Sequence, residues 1–153
     1  MKAVFCDVDG VLNNAGTTKR SPSGYTGVSE DLIRNLKKIV DRTGAKIILS
    51  SDWRLIKDDP VHGKDYRYLV RKLLFVAHLK IYGHTADISW SRRGEEIRKY
   101  LDDHPGITEY AVLDDISFSD FRKYGLLDHF VHTDQDEGLT ENDVERAIMI
   151  LRG

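Results

Sequence analysis

At 153 residues the chain is long enough to bury a substantial core within one domain, residues 1–153. Its 41% apolar and 31% charged content is that of a soluble globular protein, and a formal net charge of −2 excludes a wholesale nucleic-acid coat while leaving room for a local basic groove. A single cysteine excludes an intrachain disulfide and fits a reducing, cytoplasmic setting; no apolar run reaches membrane-spanning length, and Met1 leads almost directly into a strand, so neither a signal peptide nor a membrane partner is expected.

Strand-like and helix-like segments alternate along the chain, which predicts an α/β fold with a central parallel sheet in three layers. The first strand spans Lys2 to Cys6 and ends in Asp7-Val8-Asp9-Gly10. Side chains alternate along a strand, so Asp7 and Asp9 are expected on one face. Cys6 lies inside the apolar run and reads as a small buried side chain. The polar, glycine-bearing segment from Asn13 to Thr26 reads as a flap over the strand end, with Asn13 and Asn14 lining the entrance or capping a turn.

Ser29 is suited to cap a helix whose apolar face is Leu32, Leu36, Ile39 and Val40 and which Gly44 closes. Lys46 to Leu49 is the second strand, followed by Ser50-Ser51-Asp52-Trp53-Arg54. A helix over roughly Asp65 to His78 is apolar beyond one face, and deep burial is the expected reason, with an interface as the alternative. Lys80 to Gly83 is a short strand, 84–92 a loop, and Gly94 to about Asp102 a helix. Tyr110 to Leu113 is a strand ending in Asp114-Asp115. A short helix near Ser119 to Tyr124, a strand from His129 to His132 and a helix capped by Thr140 complete the chain.

Three strand ends therefore carry polar chemistry: Asp7 and Asp9, Ser50 and Ser51, Asp114 and Asp115. Parallel strands bring such ends to one edge of the sheet, where ligands bind in open α/β folds. Arg92 and Arg93, before the fourth strand, can face the same edge. Two like charges as close as Asp7 and Asp9 demand a cation, a proton or an anchored water between them. Carboxylates for a divalent metal, a hydroxyl and a fixed cation in one crevice are what phosphoryl transfer requires. The six histidines show no metal spacing.

Asp7-Val8-Asp9-Gly10-Val11-Leu12, Ser50 after its strand, Arg93, and Asp114-Asp115 after Ala111 to Leu113 resemble, in order and spacing, the four motifs of the haloacid dehalogenase-like (HAD) hydrolases. Leu49-Ser50-Ser51-Asp52-Trp53-Arg54, Arg93-Gly94-Glu95-Glu96-Ile97 and Gly138-Leu139-Thr140 resemble the small phosphatase domain of Swiss Army Knife RNA repair proteins. The resemblance implies a Rossmann-like fold and an aspartyl-phosphate phosphatase. It implies Asp7 as nucleophile, Asp9 as general acid and base, Ser50 as phosphate-binding hydroxyl and Arg93, or Arg92 in its place, as the fixed cation. It implies Mg²⁺ on Asp7, the main-chain carbonyl of Asp9 and Asp114, with Asp115 a ligand through water or an orienter of Asp114. Gly10, Ser51, Arg54 and Arg92 are candidate substrate contacts. Trp53 and Arg54 sit at the mouth, or are a packed Trp and a solvated Arg. Asp120 is an outer metal partner or, more in keeping with its position, a helix-start surface residue.

The segments between Asp9 and Ser50 and between Ser51 and Arg93 are too short for a folded cap. A capless or flap-only crevice, with Arg54, Lys57, Arg92 and Arg93 in segments bordering it, is expected to admit a nucleotide or a nucleic-acid end. A small sugar phosphate is the alternative if the flap closes. A non-catalytic binding module would be marked by loss of Asp7, Asp9 or the fourth-motif aspartate, and all are present. Dehalogenation has no use for Asp9 or a metal. Nothing in the sequence specifies an oligomeric state.

Overall fold

The computed structural model describes residues 1–88 and 91–153. Five strands form one all-parallel sheet in the order β3-β2-β1-β4-β5: β1 (Lys2–Cys6), β2 (Lys46–Leu49), β3 (Ile81–His84), β4 (Glu109–Asp114) and β5 (Phe130–His132). Four helices cover it: α1 (Glu30–Thr43), α2 (Gly63–Ala77), α3 (Arg93–Asp103) and α4 (Glu141–Arg152). This is the Rossmann-like α/β architecture expected from the alternation of segments. Among the described residues, no helix is long and apolar enough to cross a membrane.

The period of two along β1 sorts its side chains. Val4 and Cys6 join the cluster under α1, α2 and α4, while Ala3 and Phe5 join the cluster under α3. Both faces are covered, which is why the central strands read as continuous apolar runs. Ile97 is fully buried and fixes α3 to the sheet; its truncation to Ala costs about 2–5 kcal/mol. Ser29 caps α1 by accepting from Leu32 N at 3.4 Å, and Gly44 ends it at φ +73°. Thr140 and Asp143 form a reciprocal capping box on α4.

Several expectations need correction. Val70, Leu74 and Phe75 of α2 are exposed, so its surplus apolar content is not explained by depth. Residues 119–124 form successive turns, closed by bonds such as Tyr124 N to Asp120 O, and not a helix. The flap is pinned at both sides: Asn14 Nδ2 donates to Glu137 O, and Ser23 N donates to Asp65 Oδ1 on α2. The loop expected over 84–92 includes Ser89 and Trp90, which lie outside the described residues.

Candidate active site

The strand order reverses between β1 and β4, because β1 leads outward through α1 to β2, while β3 returns across the sheet through α3 to β4. A crevice opens at such a switch point. Register pairs Cys6 with Leu113, and Asp7 N extends the ladder by donating to Leu113 O at 3.0 Å. Asp7 continues the Ala3–Phe5 parity, and Asp114 shares parity with Val112. Both therefore emerge on the α3 face, where Arg93 opens α3.

Oxygens of Asp7, Asp114 and Asp115 lie within 4.8 Å of one another. Arg93 Nη1 is 3.2 Å from Asp114 Oδ2 and 3.9 Å from Asp7 Oδ1, and it also donates to Ser50 O. Burial pushes the Asp7 carboxyl up to about 7; Arg93, the Val8 amide and the Ser51 hydroxyl pull the other way. Asp114, only 1% exposed, is raised well above the carboxylate range by burial and by Asp7. Protein groups alone thus leave this carboxylate cluster under-compensated. Hard oxygen donors with unrelieved negative charge fit a magnesium-sized cation.

The alternation of β1 carries past its end: Val8 joins Val4 and Cys6 in the core, while Asp7 and Asp9 both line the crevice. The chain then turns sharply, with Val11 N and Leu12 N both donating to Val8 O. The Asp9 carboxylate is held by two donors, Asn13 Nδ2 to Oδ1 at 2.9 Å and Trp53 Nε1 to Oδ2 at 3.2 Å. It still lines the same crevice as Asp7, Ser51, Asp52, Ser91, Arg93, Asp115 and 116–119, a space of about 410 Å³.

The remaining sequence candidates separate clearly. Ser51 lines the crevice; Ser50 is not among the lining residues, and its hydroxyl is buried and unpartnered. Gly10 does not offer its amide to a ligand, because that amide donates to Asn13 Oδ1. Its φ is +80°, and a Cβ there would stand 2.4 Å from Asp115 Cγ; the glycine is what lets Asp115 approach. Arg92 points to solvent with its side chain 61% exposed, paired to Glu95, so Arg93 is the cation of the site. The Arg54 side chain is 4% exposed and spent internally, donating to Ser51 O, Thr85 O, Ala86 O and, at 2.7 Å, Glu96 Oε2. It is neither at the mouth nor solvated. Trp53 is packed, yet reaches Asp9. Lys57 is exposed and does not line the crevice; among the described residues the lining carboxylates Asp7, Asp9, Asp52 and Asp115 meet a single lining cation, Arg93, with Arg54 reaching Asp52 from behind at 3.8 Å.

Asp120 stands outside the cluster of Asp7, Asp114 and Asp115, in keeping with its reading as a helix-start residue. It caps α3 from a distance, accepting from Gly94 N and Glu95 N at 3.0 Å each, and so ties the 116–119 wall to the helix bearing Arg93. A Cβ on Gly94 would stand 2.6 Å from the Asp120 carboxylate. Glu96, part of the Arg93-Gly94-Glu95-Glu96-Ile97 segment but given no role by sequence reasoning, is buried one turn after Arg93. It accepts from Arg54 and from Ile88 N, joining the loops after β2 and β3 to α3. Its sequence signal was weak, because an i+3 carboxylate in a first helical turn ordinarily faces solvent.

No curated protein and no solved structure matches the chain. A family model of the HAD domain in Swiss Army Knife RNA repair proteins matches residues 3–144, a span that takes in every strand end of the crevice and points to a hydrolase of the phosphatase type. The chain belongs to this family of HAD domains.

Proposed function

We propose that the chain is a Mg²⁺-dependent phosphomonoesterase that acts through an aspartyl-phosphate on Asp7 and removes phosphate from a nucleotide or polynucleotide end. The observation that carries the reading is the juxtaposition of Asp7, Asp114 and Asp115 within 4.8 Å, with Arg93 3.9 Å from Asp7. The polynucleotide end is supported by the family's occurrence in RNA repair proteins and by a crevice that 13–26 does not line.

Mg²⁺ held by Asp7, the Asp9 carbonyl, Asp114 and Asp115 would supply charge neutralisation, without which four crevice carboxylates repel a phosphate dianion. The free oxygen of Asp7 attacks phosphorus, and the bond from phosphorus to the leaving oxygen breaks. Asp9, entering the cycle with a proton, delivers it to that oxygen. Asp9 then takes a proton from water, which attacks the phosphorus of the acyl phosphate, freeing inorganic phosphate and Asp7. Arg93 and the Ser51 hydroxyl orient and neutralise the phosphoryl oxygens.

The test is a release assay spanning 3′- and 5′-phosphorylated oligonucleotides, nucleotides and sugar phosphates, with Mg²⁺ and with chelator. Mg²⁺-dependent release, fastest from an oligonucleotide or nucleotide, is expected. Full activity in chelator contradicts the metal role. The crevice volume also suits a small phosphate ester, and a preference for sugar phosphates would make that the substrate class.

A further inference from the structure

We propose that the outer face of α2 is a docking groove for single-stranded polynucleotide, separate from the crevice. This deepens the polynucleotide-end reading and rests on it for the identity of the strand. Lys64, Arg67, Arg71 and Phe75 recur at helical spacing, away from the core-facing Tyr66, Leu69, Leu73 and Ala77. At 1.5 Å per residue the stripe is about 16 Å long. The groove encloses about 730 Å³ between this stripe, the start of α1 and Pro22.

Its charge is the first argument. Arg34, Lys64, Arg67, Arg71 and Lys72 line it against the single carboxylate of Glu30, in a chain whose formal net charge is −2. Glu30 lies 3.4 Å from Arg34 and 3.5 Å from Lys72, so an oxyanion already stands between those two. Lys64, Arg67 and Arg71 are exposed and meet no carboxylate among the described residues. The crevice, by contrast, has one cation for four carboxylates, and cannot hold backbone phosphates beyond the scissile one.

The second argument is Phe75. It is 78% exposed at the end of the cationic stripe. A purely anionic chain such as poly-glutamate would use the cations alone, whereas a nucleic-acid strand supplies phosphates for the cations and, at regular intervals, a base to stack on the ring. Topology places the groove usefully. α2 joins parallel β2 and β3, so it runs against the strands, and its Lys64 end lies toward the sheet edge that bears the crevice.

The experiment is fluorescence anisotropy with a labelled RNA of about 12 nucleotides that carries no terminal phosphate, so that binding is read without turnover. The full chain is compared with Lys64→Gln/Arg67→Gln/Arg71→Gln and with Phe75→Ala, with thermal unfolding as the check on folding. The triple variant should bind at least about 10-fold more weakly, with a salt slope smaller by about 2, because three phosphate contacts are lost. Phe75→Ala should lose at least about 5-fold. Hydrolysis of a small chromogenic phosphate should be unchanged in both. Wild-type affinity in the folded triple variant overturns the proposal. So does equal binding of poly-glutamate or anionic lipid vesicles with no effect of Phe75→Ala, which would mark a protein or membrane surface. Oligonucleotide binding that the triple variant loses, without phosphate release from any substrate, upholds the groove and refutes the phosphatase reading. Release from oligonucleotide ends with undiminished binding by the triple variant does the reverse.

Discussion

Trp53 Nε1 donates to Asp9 Oδ2 at 3.2 Å, across the gap between the loop after β2 and the turn after β1. With Asn13 on the other carboxylate oxygen, it aims an otherwise exposed side chain into the crevice. Asp9 must present the same oxygen to a leaving group and then to a water, so a fixed orientation serves both half-reactions.

Trp53→Phe keeps the buried ring and removes the donor. It is expected to lower kcat about 10-fold for an ester with a poor leaving group and far less for a nitrophenyl-type ester, which departs without full protonation. The comparison of the two substrates is the measurement. An equal loss on both would show that Trp53 acts through packing alone.

The Arg54–Glu96 pair is buried on both sides and links Ser51, the loop after β3 and the helix of Arg93. Arg54→Met leaves the Glu96 carboxylate with Arg93 Nε at 3.5 Å and the Ile88 amide, and is expected to cost about 3 kcal/mol, a fall in Tm of about 10 °C. Adding Glu96→Gln should restore part of it, which a double-mutant cycle of thermal unfolding reads. An unchanged Tm with weaker substrate binding would return Arg54 to the mouth of the site.

Arg93 and Arg92 are adjacent, but only Arg93 faces the carboxylates. Arg93→Gln should lower kcat/KM by about 100-fold or more, and Arg92→Gln by less than about 2-fold. Steady-state kinetics of the two variants decide it; the opposite ranking would move the third-motif role to Arg92.

In the metal-free protein, Asp7 holds its proton up to about 7, above its value in the unfolded chain, and Asp114 shifts in the same direction. The folded state therefore binds more protons between about pH 4 and 7, and stability falls as pH rises through that window. Asp59, Asp65, Asp103 and Glu141 are shifted downward by hydrogen bonds and nearby cations, and so act in the opposite direction at the acid end. In chelator, Tm should be at least about 3 °C higher at pH 5.5 than at pH 7.5. Asp7→Asn or millimolar Mg²⁺ should shrink the difference. A flat profile in chelator would contradict the carboxylate cluster as the stored charge.

Much of this was legible in the chain. β1 and β2 stand where the apolar runs put them, because both faces of central strands are buried and the run ends where the site begins. Asp7, Asp114 and Asp115 were readable for the same reason: a carboxylate at a buried strand end has one edge to occupy. Arg54 was misread because sequence shows a cation and not its partner; Glu96 lies 42 residues away. Ser50 and Ser51 are equivalent in composition, and only the chain's departure from β2 decides which hydroxyl enters the crevice. The short helix expected near Ser119 to Tyr124 is a run of turns, and Phe121 is buried from it all the same. Exposure on α2 was hidden because periodicity marks a core face but is silent on what apolar residues outside it do.

The most direct test of the central claim is the mass of the acid-quenched protein after mixing with Mg²⁺ and a phosphorylated oligonucleotide. A species heavier by one phosphoryl group is expected, mapped to the peptide bearing Asp7, absent in chelator and in Asp7→Asn, and accumulating in Asp9→Asn with an activated ester. Phosphate release by Asp7→Asn at near wild-type rate, or a phosphoryl group mapped elsewhere, would contradict it.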